Sequence, residues 1–175
     1  LANALNEILL KAGLPVVPLQ TSALVLQRKR TLVFLQPALL KAVLANGGIP
    51  VFGGDVVFAD NKRTAVVSAD RLAVLMARLI PNARLLFATD VDGVYRHFPP
   101  KNRERPSATL RRSSMQTLIQ KGKEEHSRID VTGSMIGKLR SLLPLRNRRA
   151  VIFNGLDPHA LDQALWGKKV GTAIT

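Results

Sequence analysis

Short apolar runs alternate along this chain with amphipathic stretches of about ten residues, and this alternation limits the folds open to it. Leu1, Leu5, Ile8 and Leu9 repeat at helical spacing, and Gly13 followed by Pro15 ends the pattern. A strand at Val16 to Leu19 follows, then a helix from Pro37 to Asn46 with Gly47 beyond its end, then a strand at Ile49 to Phe52. Val56 to Phe58 and Ala65 to Val67 read as a hairpin turning at Asp60, Asn61 and Lys62. Beyond it come a helix at Asp70 to Leu79, a buried strand at Leu85 to Ala88 and a helix around Ser114 to Lys121. A helix after Asp130, a strand at Ala150 to Phe153, a helix at Pro158 to Trp166 and a strand near Thr172 to Thr175 complete the order. Strands alternating with helices predict an α/β fold, a three-layer αβα sandwich with a mainly parallel sheet. Such sheets bind ligands beyond the carboxyl ends of their strands.

The expectation is one domain over residues 1–175. It opens inside a helix with no cap and no initiator Met, which predicts that an N-terminal part of the fold is missing. No apolar run approaches the roughly 20 residues needed to span a bilayer. The first residues show no basic segment followed by an apolar block, so no signal peptide is read. The absence of cysteine leaves no disulfide or thiolate metal site and suits a reducing cytoplasmic setting. The 26 Lys and Arg against 12 Asp and Glu give a net charge of +14. Such a surface fits either a nucleic acid or a phosphorylated small molecule with a nucleotide. The charges gather at Arg28 to Arg30, Arg96 to Arg112 and Arg146 to Arg149, which read as connections rather than one helix face.

Four segments carry possible chemistry. Gly53-Gly54-Asp55 follows a strand, where glycine lets backbone N–H groups approach an anion, and where a tight turn needing positive φ would serve as well. Ser68-Ala69-Asp70 opens a helix; either Ser68 or Asp70 is its cap, and capping would account for both. In Thr89-Asp90-Val91-Asp92-Gly93-Val94-Tyr95, two carboxylates at a strand end need a cation, a ribose hydroxyl or solvent to offset them. Asp130-Val131-Thr132-Gly133-Ser134 leads into a helix that carries Lys138 about a turn inside. Backbone donors plus a mobile ammonium make a phosphate cradle there, or simply a solvated lysine. The order is not that of a Walker A loop, because Leu139 follows the lysine. His97, His126 and His159 lack metal spacing and read as surface residues, no metal site is expected, and Trp166 reads as helix packing.

In this order, the segments resemble the amino acid kinase superfamily, through Gly53 to Val57, Ser68 to Asp70, Thr89 to Tyr95, Asp130 to Lys138, Phe153-Asn154-Gly155 and Gly171-Thr172. Several ordered motifs are far more specific than any one alone. The Gly-Asp-Val-Val form and the Asp-Val-Thr-Gly block look most like isopentenyl phosphate kinases, with fosfomycin-phosphorylating kinases as near relatives. The resemblance implies ATP, arriving with Mg²⁺, as phosphoryl donor to a small phosphate monoester, isopentenyl phosphate first among them. It implies Gly54 at the acceptor phosphate with Gly53 and Asp55 beside it. Asp70 and Asp90, Val91, Asp92, Gly93, Val94 and Tyr95 would then surround the nucleotide. Gly133, Ser134 and Lys138 would face its phosphates, with Lys138 catalytic. Similar kinases are commonly dimers.

Two departures bear on this. Ser134 stands where the family usually shows Gly, and the family's N-terminal lysine, Gly-rich turn and acceptor-contacting histidine have no counterpart here. Residues 1–175 alone are therefore expected to be inactive. An RNA-associated protein that kept the kinase fold and lost catalysis is the competing expectation, motivated by the charge.

Overall fold

The computed structural model describes residues 2–60, 63–97, 100–125, 133–145 and 149–175, with the side chains of 2, 121–125 and 133–134 left aside. The chain divides into two compact units, Leu1–Leu79 and Ile80–Thr175.

The first unit runs α1 (Ala2–Lys11), β1 (Val16–Pro18), α2 (Thr21–Leu24), β2 (Val25–Arg28), β3 (Thr31–Phe34) and α3 (Pro37–Ala45). It continues with β4 (Ile49–Val51), β5 (Asp55–Phe58), β6 (Thr64–Val67) and α4 (Ala69–Leu79). β1 and β4 pair in parallel, with Pro18 opposite Val51, so their carboxyl ends lie side by side. α3 starts on Pro37, whose missing N–H costs nothing at a helix start, and ends where Gly47 takes φ +73°. The expected hairpin is present as antiparallel β5 and β6, while Asn61 and Lys62 of its turn fall outside the described residues. A second hairpin, β2 with β3, was not expected. Lys29 and Arg30 turn it at φ 44° and 70°, the double positive φ of a type I′ turn, without the Asn or Gly that usually marks one. Its tip is held by Arg71, which donates to Gln27 Oε1 at 3.3 Å and to the Arg30 carbonyl at 3.1 Å. The first basic cluster, Arg28 to Arg30, is thus a docked turn.

α1 forms where helical spacing predicts it, and its apolar stripe is only partly covered, with Leu9 half-buried. Leu5, Ile8 and Leu10 are exposed, and Asn6 is the buried position among its described residues.

The second unit contains β7 (Leu85–Thr89), β8 (Thr109–Leu110), α5 (Arg112–Glu125), α6 (Gly133–Leu142), β9 (Ala150–Asn154), α7 (Pro158–Leu165) and β10 (Thr172–Ile174). Four strands form one sheet in the order β7-β9-β10-β8. β7 and β9 run parallel, with Thr89 opposite Asn154; β10 is antiparallel to β9 and parallel to β8. The α/β order is as expected, and the strand pairings across the two units are mixed. The antiparallel members come from the hairpins and from the last strand. Phe153 is buried against Ala160 and Ala164 of α7. Because that helix meets the sheet through alanines, its large residues stay outside, and Trp166, expected to pack, is 77% exposed with its indole N–H on Asp162 Oδ1 at 3.1 Å. Arg84 serves the C-terminal end of α7: its guanidinium donates to the carbonyls of Ala164 and Leu165 at 2.7 and 2.8 Å, and the Ala164 carbonyl also accepts from the Gly167 N–H at 3.2 Å. Among the described residues no helix is long and apolar enough to cross a membrane.

Candidate active site

In each unit, one segment of the singled-out residues, Gly53 to Asp55 or Asp90 to Tyr95, follows a strand whose carboxyl end lies beside that of a parallel neighbour, the position in which such sheets carry ligands.

In the first unit, the ends of β1 and β4 release Gln20-Thr21-Ser22 and Gly53-Gly54-Asp55. Thr21, fully buried, donates its hydroxyl to the Gly53 carbonyl at 2.7 Å and ties the two loops. The Asp55 carboxylate accepts from Gln20 Nε2 at 2.8 Å, from the Ser22 N–H at 3.0 Å and from the Val56 N–H at 2.8 Å. These donors, the Val56 amide foremost, hold its carboxyl below the ordinary carboxylate range. Neither Gly53 nor Gly54 has positive φ, so the tight-turn explanation does not apply. Gly54 is needed for close approach: a Cβ there would lie 3.1 Å from the Val67 carbonyl oxygen and 3.5 Å from the Ala69 nitrogen. Gly54 therefore rests against the start of α4. Ser68 caps that helix, its Oγ accepting from the Arg71 N–H at 3.4 Å, which leaves Asp70, half-buried in the first turn, outside the capping role.

A recess of about 280 Å³ opens at these loops, lined by Asn3, Asn6, Pro18, Leu19, Gln20, Thr21, Val51, Gly53, Gly54 and Asp55. Asn6 lines it, and its Oδ1 is sealed from solvent with no hydrogen-bond partner among the described residues. Leaving a buried acceptor unmade costs about 1–3 kcal/mol. Gln20, Thr21, Ser22 and Asn6 were not singled out from the sequence. The strand-end rule that marked Gly53 to Asp55 also covers Gln20 to Ser22, but nothing in a helical stripe marks Asn6.

In the second unit, β7 ends at Thr89 and β9 at Asn154. The Gly155 N–H donates to the Thr89 carbonyl at 2.7 Å and locks the two ends together. Asp90 and Asp92 are exposed. Asp90 accepts from the Thr89 hydroxyl at 3.1 Å; Asp92 accepts from Asn154 Nδ2 at 2.9 Å and from the Tyr95 hydroxyl at 3.4 Å. Burial, and then the neighbouring Asp92 charge, push the Tyr95 phenol above its ordinary value of 10.0, so it stays a donor. Gly93 and Val94 are buried behind them, and the Val94 N–H donates to Thr172 Oγ1 at 2.8 Å. A Cβ on Gly93 would lie 2.6 Å from that same oxygen. Thr172 Oγ1 in turn donates to the Ser107 carbonyl at 2.6 Å. The structure thus gathers Asp90 to Tyr95 with Asn154 and Thr172.

The last motif is only partly described. α6 begins at Gly133, so the first amides at Gly133 and Ser134 are the ones a helix leaves without partners. Lys138 is half-buried in the same helix. Asp130, Val131 and Thr132 fall outside the described residues, as does His126. His159 is exposed, and His97 meets Glu104 Oε2 at 3.3 Å. Among the described residues no group of three or more His, Asp or Glu could hold a metal ion.

The chain is similar to known proteins. The sequence pattern of the Amino acid kinase family matches residues 1–154 and runs through both units. The chain is 35% identical over 177 aligned residues to an isopentenyl phosphate kinase of Methanothermobacter thermautotrophicus, covering 97% of this chain and 64% of that kinase. It is 36% identical over 142 residues to an acetylglutamate kinase of Solibacter usitatus, covering 79% of this chain and 50% of that protein. A crystal structure of isopentenyl phosphate kinase superposes with a TM-score of 0.77 at 28% identity, over 98% of this chain and 64% of the other. The chain therefore spans less than two thirds of the length of these relatives. With the family pattern matched over most of its residues, the chain belongs to the amino acid kinase family.

Proposed function

We propose that the gene product containing residues 1–175 is an ATP-dependent kinase that phosphorylates a small phosphate monoester, with isopentenyl phosphate as the reference acceptor and isopentenyl diphosphate as product. The observation that carries this reading is the similarity over 97% of the chain to the Methanothermobacter isopentenyl phosphate kinase. The two units would act as one amino acid kinase-like domain, as the single family pattern running through both supports.

In this reading, Gly54 admits the acceptor phosphate close to main-chain donors, with Gly53 and Asp55 fixing the loop. Gly54 is exposed and lies beside the start of α4, which fits an anion because amides at a helix start carry partial positive charge. The nucleotide is taken by Asp70 and by Asp90, Val91, Asp92, Gly93, Val94 and Tyr95. The fit rests on donor chemistry: exposed carboxylates on a rigid strand end can accept from ribose hydroxyls. Gly133, Ser134 and Lys138 would face the phosphates. Mg²⁺, bound with ATP, would supply charge neutralisation of the phosphate oxygens.

Phosphoryl transfer asks for positioning and charge stabilisation rather than covalent chemistry. An acceptor phosphate oxygen bonds the γ-phosphorus as the bond to the β-phosphate oxygen breaks, and ADP leaves. Lys138 contributes an ammonium to the charge that develops on the γ-phosphate oxygens. Lys138→Ala is expected to lower kcat by about 10²-fold or more, the size of losing one aimed stabilising donor. The measurement is conversion of isopentenyl phosphate with MgATP by the gene product, with circular dichroism confirming an unchanged fold. Unchanged turnover removes Lys138 from the chemistry, and no diphosphate product from the unsubstituted protein removes the function.

A further inference from the structure

The β5–β6 hairpin buries one face and leaves the other uncovered. Side chains alternate across a strand, so Val57 and Val67 are buried while Val56, Phe58 and Val66 point the opposite way. Val56 and Val66 are direct cross-strand partners, and Phe58 stands two residues nearer the turn on the same face. At 49%, 66% and 78% exposure, Val56, Phe58 and Val66 make one apolar strip on the ribbon. The β2–β3 hairpin lies alongside. Gln27 bridges Ala59 in parallel, the Asp60 N–H donates to the Gln27 carbonyl at 3.1 Å, and Asp60 Oδ2 accepts from the Lys29 N–H at 3.3 Å. The two turns therefore end together. Arg28, Lys29, Arg30 and Arg63 are exposed around these ends, where Asp60 is the one carboxylate among the described residues of the two hairpins.

This combination sets the strip apart from other exposed apolar residues of the chain. On α7, Asp162 stands beside Leu161 and takes the Trp166 indole N–H, and on α1, Glu7 stands beside Ile8 and pairs with Lys11. Pressing either helix against hydrocarbon would strip water from a carboxylate, whereas the outward face of β5–β6 offers valine, phenylalanine and threonine. We propose that the strip and the paired turns form a docking surface for an anionic lipid bilayer. Val56, Phe58 and Val66 enter the interface, and Arg28, Lys29 and Arg30 meet the headgroup phosphates. The protein rests on the bilayer and does not cross it. A second copy of the chain is the poorer fit, because a two-fold contact would set these cations against themselves on a chain already at +14. A nucleic acid would use the cations but leave the two valines without a stacking role. The surface uses none of the residues assigned to phosphate or nucleotide.

The test is co-sedimentation of the gene product with vesicles of phosphatidylcholine alone and of phosphatidylcholine mixed with phosphatidylglycerol. Binding to the mixed vesicles is expected, weakening as salt rises. Phe58→Ser is expected to weaken it by about tenfold or more, the loss of one ring from the interface. Lys29→Asn with Arg30→Gly removes two charges and supplies the residues that a type I′ turn favours; it is expected to weaken binding by about 20-fold or more. Lys168→Gln with Lys169→Gln, an equal change of charge at exposed positions of the second unit, is the control and should weaken it by less than about threefold. Circular dichroism checks the fold of each variant, so the outcome does not depend on the kinase reading. Equal losses in the two charge variants, or a Phe58→Ser protein that binds like the parent, mean diffuse attraction between a basic protein and an acidic surface and overturn the proposal. Absence of binding to the mixed vesicles overturns it too, whether the same substitutions then prove to abolish RNA binding or self-association.

Discussion

Thr172→Val tests how the Asp90 to Tyr95 loop is held. Thr172 is fully buried, and its one hydroxyl serves two groups: it accepts from the Val94 N–H at 2.8 Å and donates to the Ser107 carbonyl at 2.6 Å. Valine keeps the shape and removes both bonds. With Val94 itself buried, its N–H has nowhere to turn, and the Ser107 carbonyl loses its donor. At about 1–2 kcal/mol for each group left unmade, the variant is expected to lose roughly 2–4 kcal/mol. For a chain of this size that corresponds to a fall in Tm of about 5–15 °C. Thermal unfolding followed by circular dichroism measures the total, and amide hydrogen exchange locates it, with Val94 expected to exchange at least about 30-fold faster. Thr172→Ser keeps the hydroxyl and should lose only about 1 kcal/mol, the worth of a buried methyl. A Thr172→Val protein within about 0.5 kcal/mol of the parent, the ordinary scatter of a surface change, refutes the argument.

Two further outcomes follow from the geometry. Gly171 adopts φ +58°, and a Cβ there would run into the Ile152 carbonyl and lie 2.9 Å from Phe153 Cα, both in β9, so Gly171→Ala should cost about 3 kcal/mol or more; an unshifted Tm refutes this. Glu104 accepts from the Lys101 and Arg96 amides at 3.0 Å and meets His97; these contacts, the Lys101 amide first, hold its carboxyl below the ordinary 4.5. A carboxyl lowered in the folded state favours the fold above its ordinary value and ceases to do so as pH falls through the lowered one. The Arg96 and Lys101 amide resonances should therefore titrate together with a midpoint below 4.5, and not at all in Glu104→Gln; a midpoint at or above 4.5 contradicts the assignment.

What was legible in the sequence is what leaves a local mark. The β5–β6 hairpin, α3 between Pro37 and Gly47, and the strand ends carrying Gly53 to Asp55 and Asp90 to Tyr95 are signalled by residues whose backbone or side-chain chemistry differs from their neighbours. The β2–β3 hairpin is not, because Lys29 and Arg30 bear a conformation that composition assigns to glycine or asparagine. The covered position of α1 goes unsignalled for a different reason. Periodicity reports which side of a helix is apolar, and only tertiary packing decides which side is covered; here Asn6 is covered and Ile8 is not. The same limit applies to Trp166. At the candidate site, Asn154 lay within a quoted motif, but its bond to Asp92 joins residues far apart in sequence and needed the parallel pairing of β7 with β9 to become visible.

The position of β10 also sets when the protein can be assembled. Every strand pair of the first unit lies within Val16–Val67, so those pairings can form while the ribosome is still translating the remainder. In the second unit, β10 lies between β9 and β8, so β8 waits, unpaired, until residues 172–174 emerge from the exit tunnel. During that interval the loop bearing Asp92 also lacks the Thr172 tether. The sheet of the second unit is therefore closed late, by its most C-terminal strand, after the pairings of the first unit can already be in place.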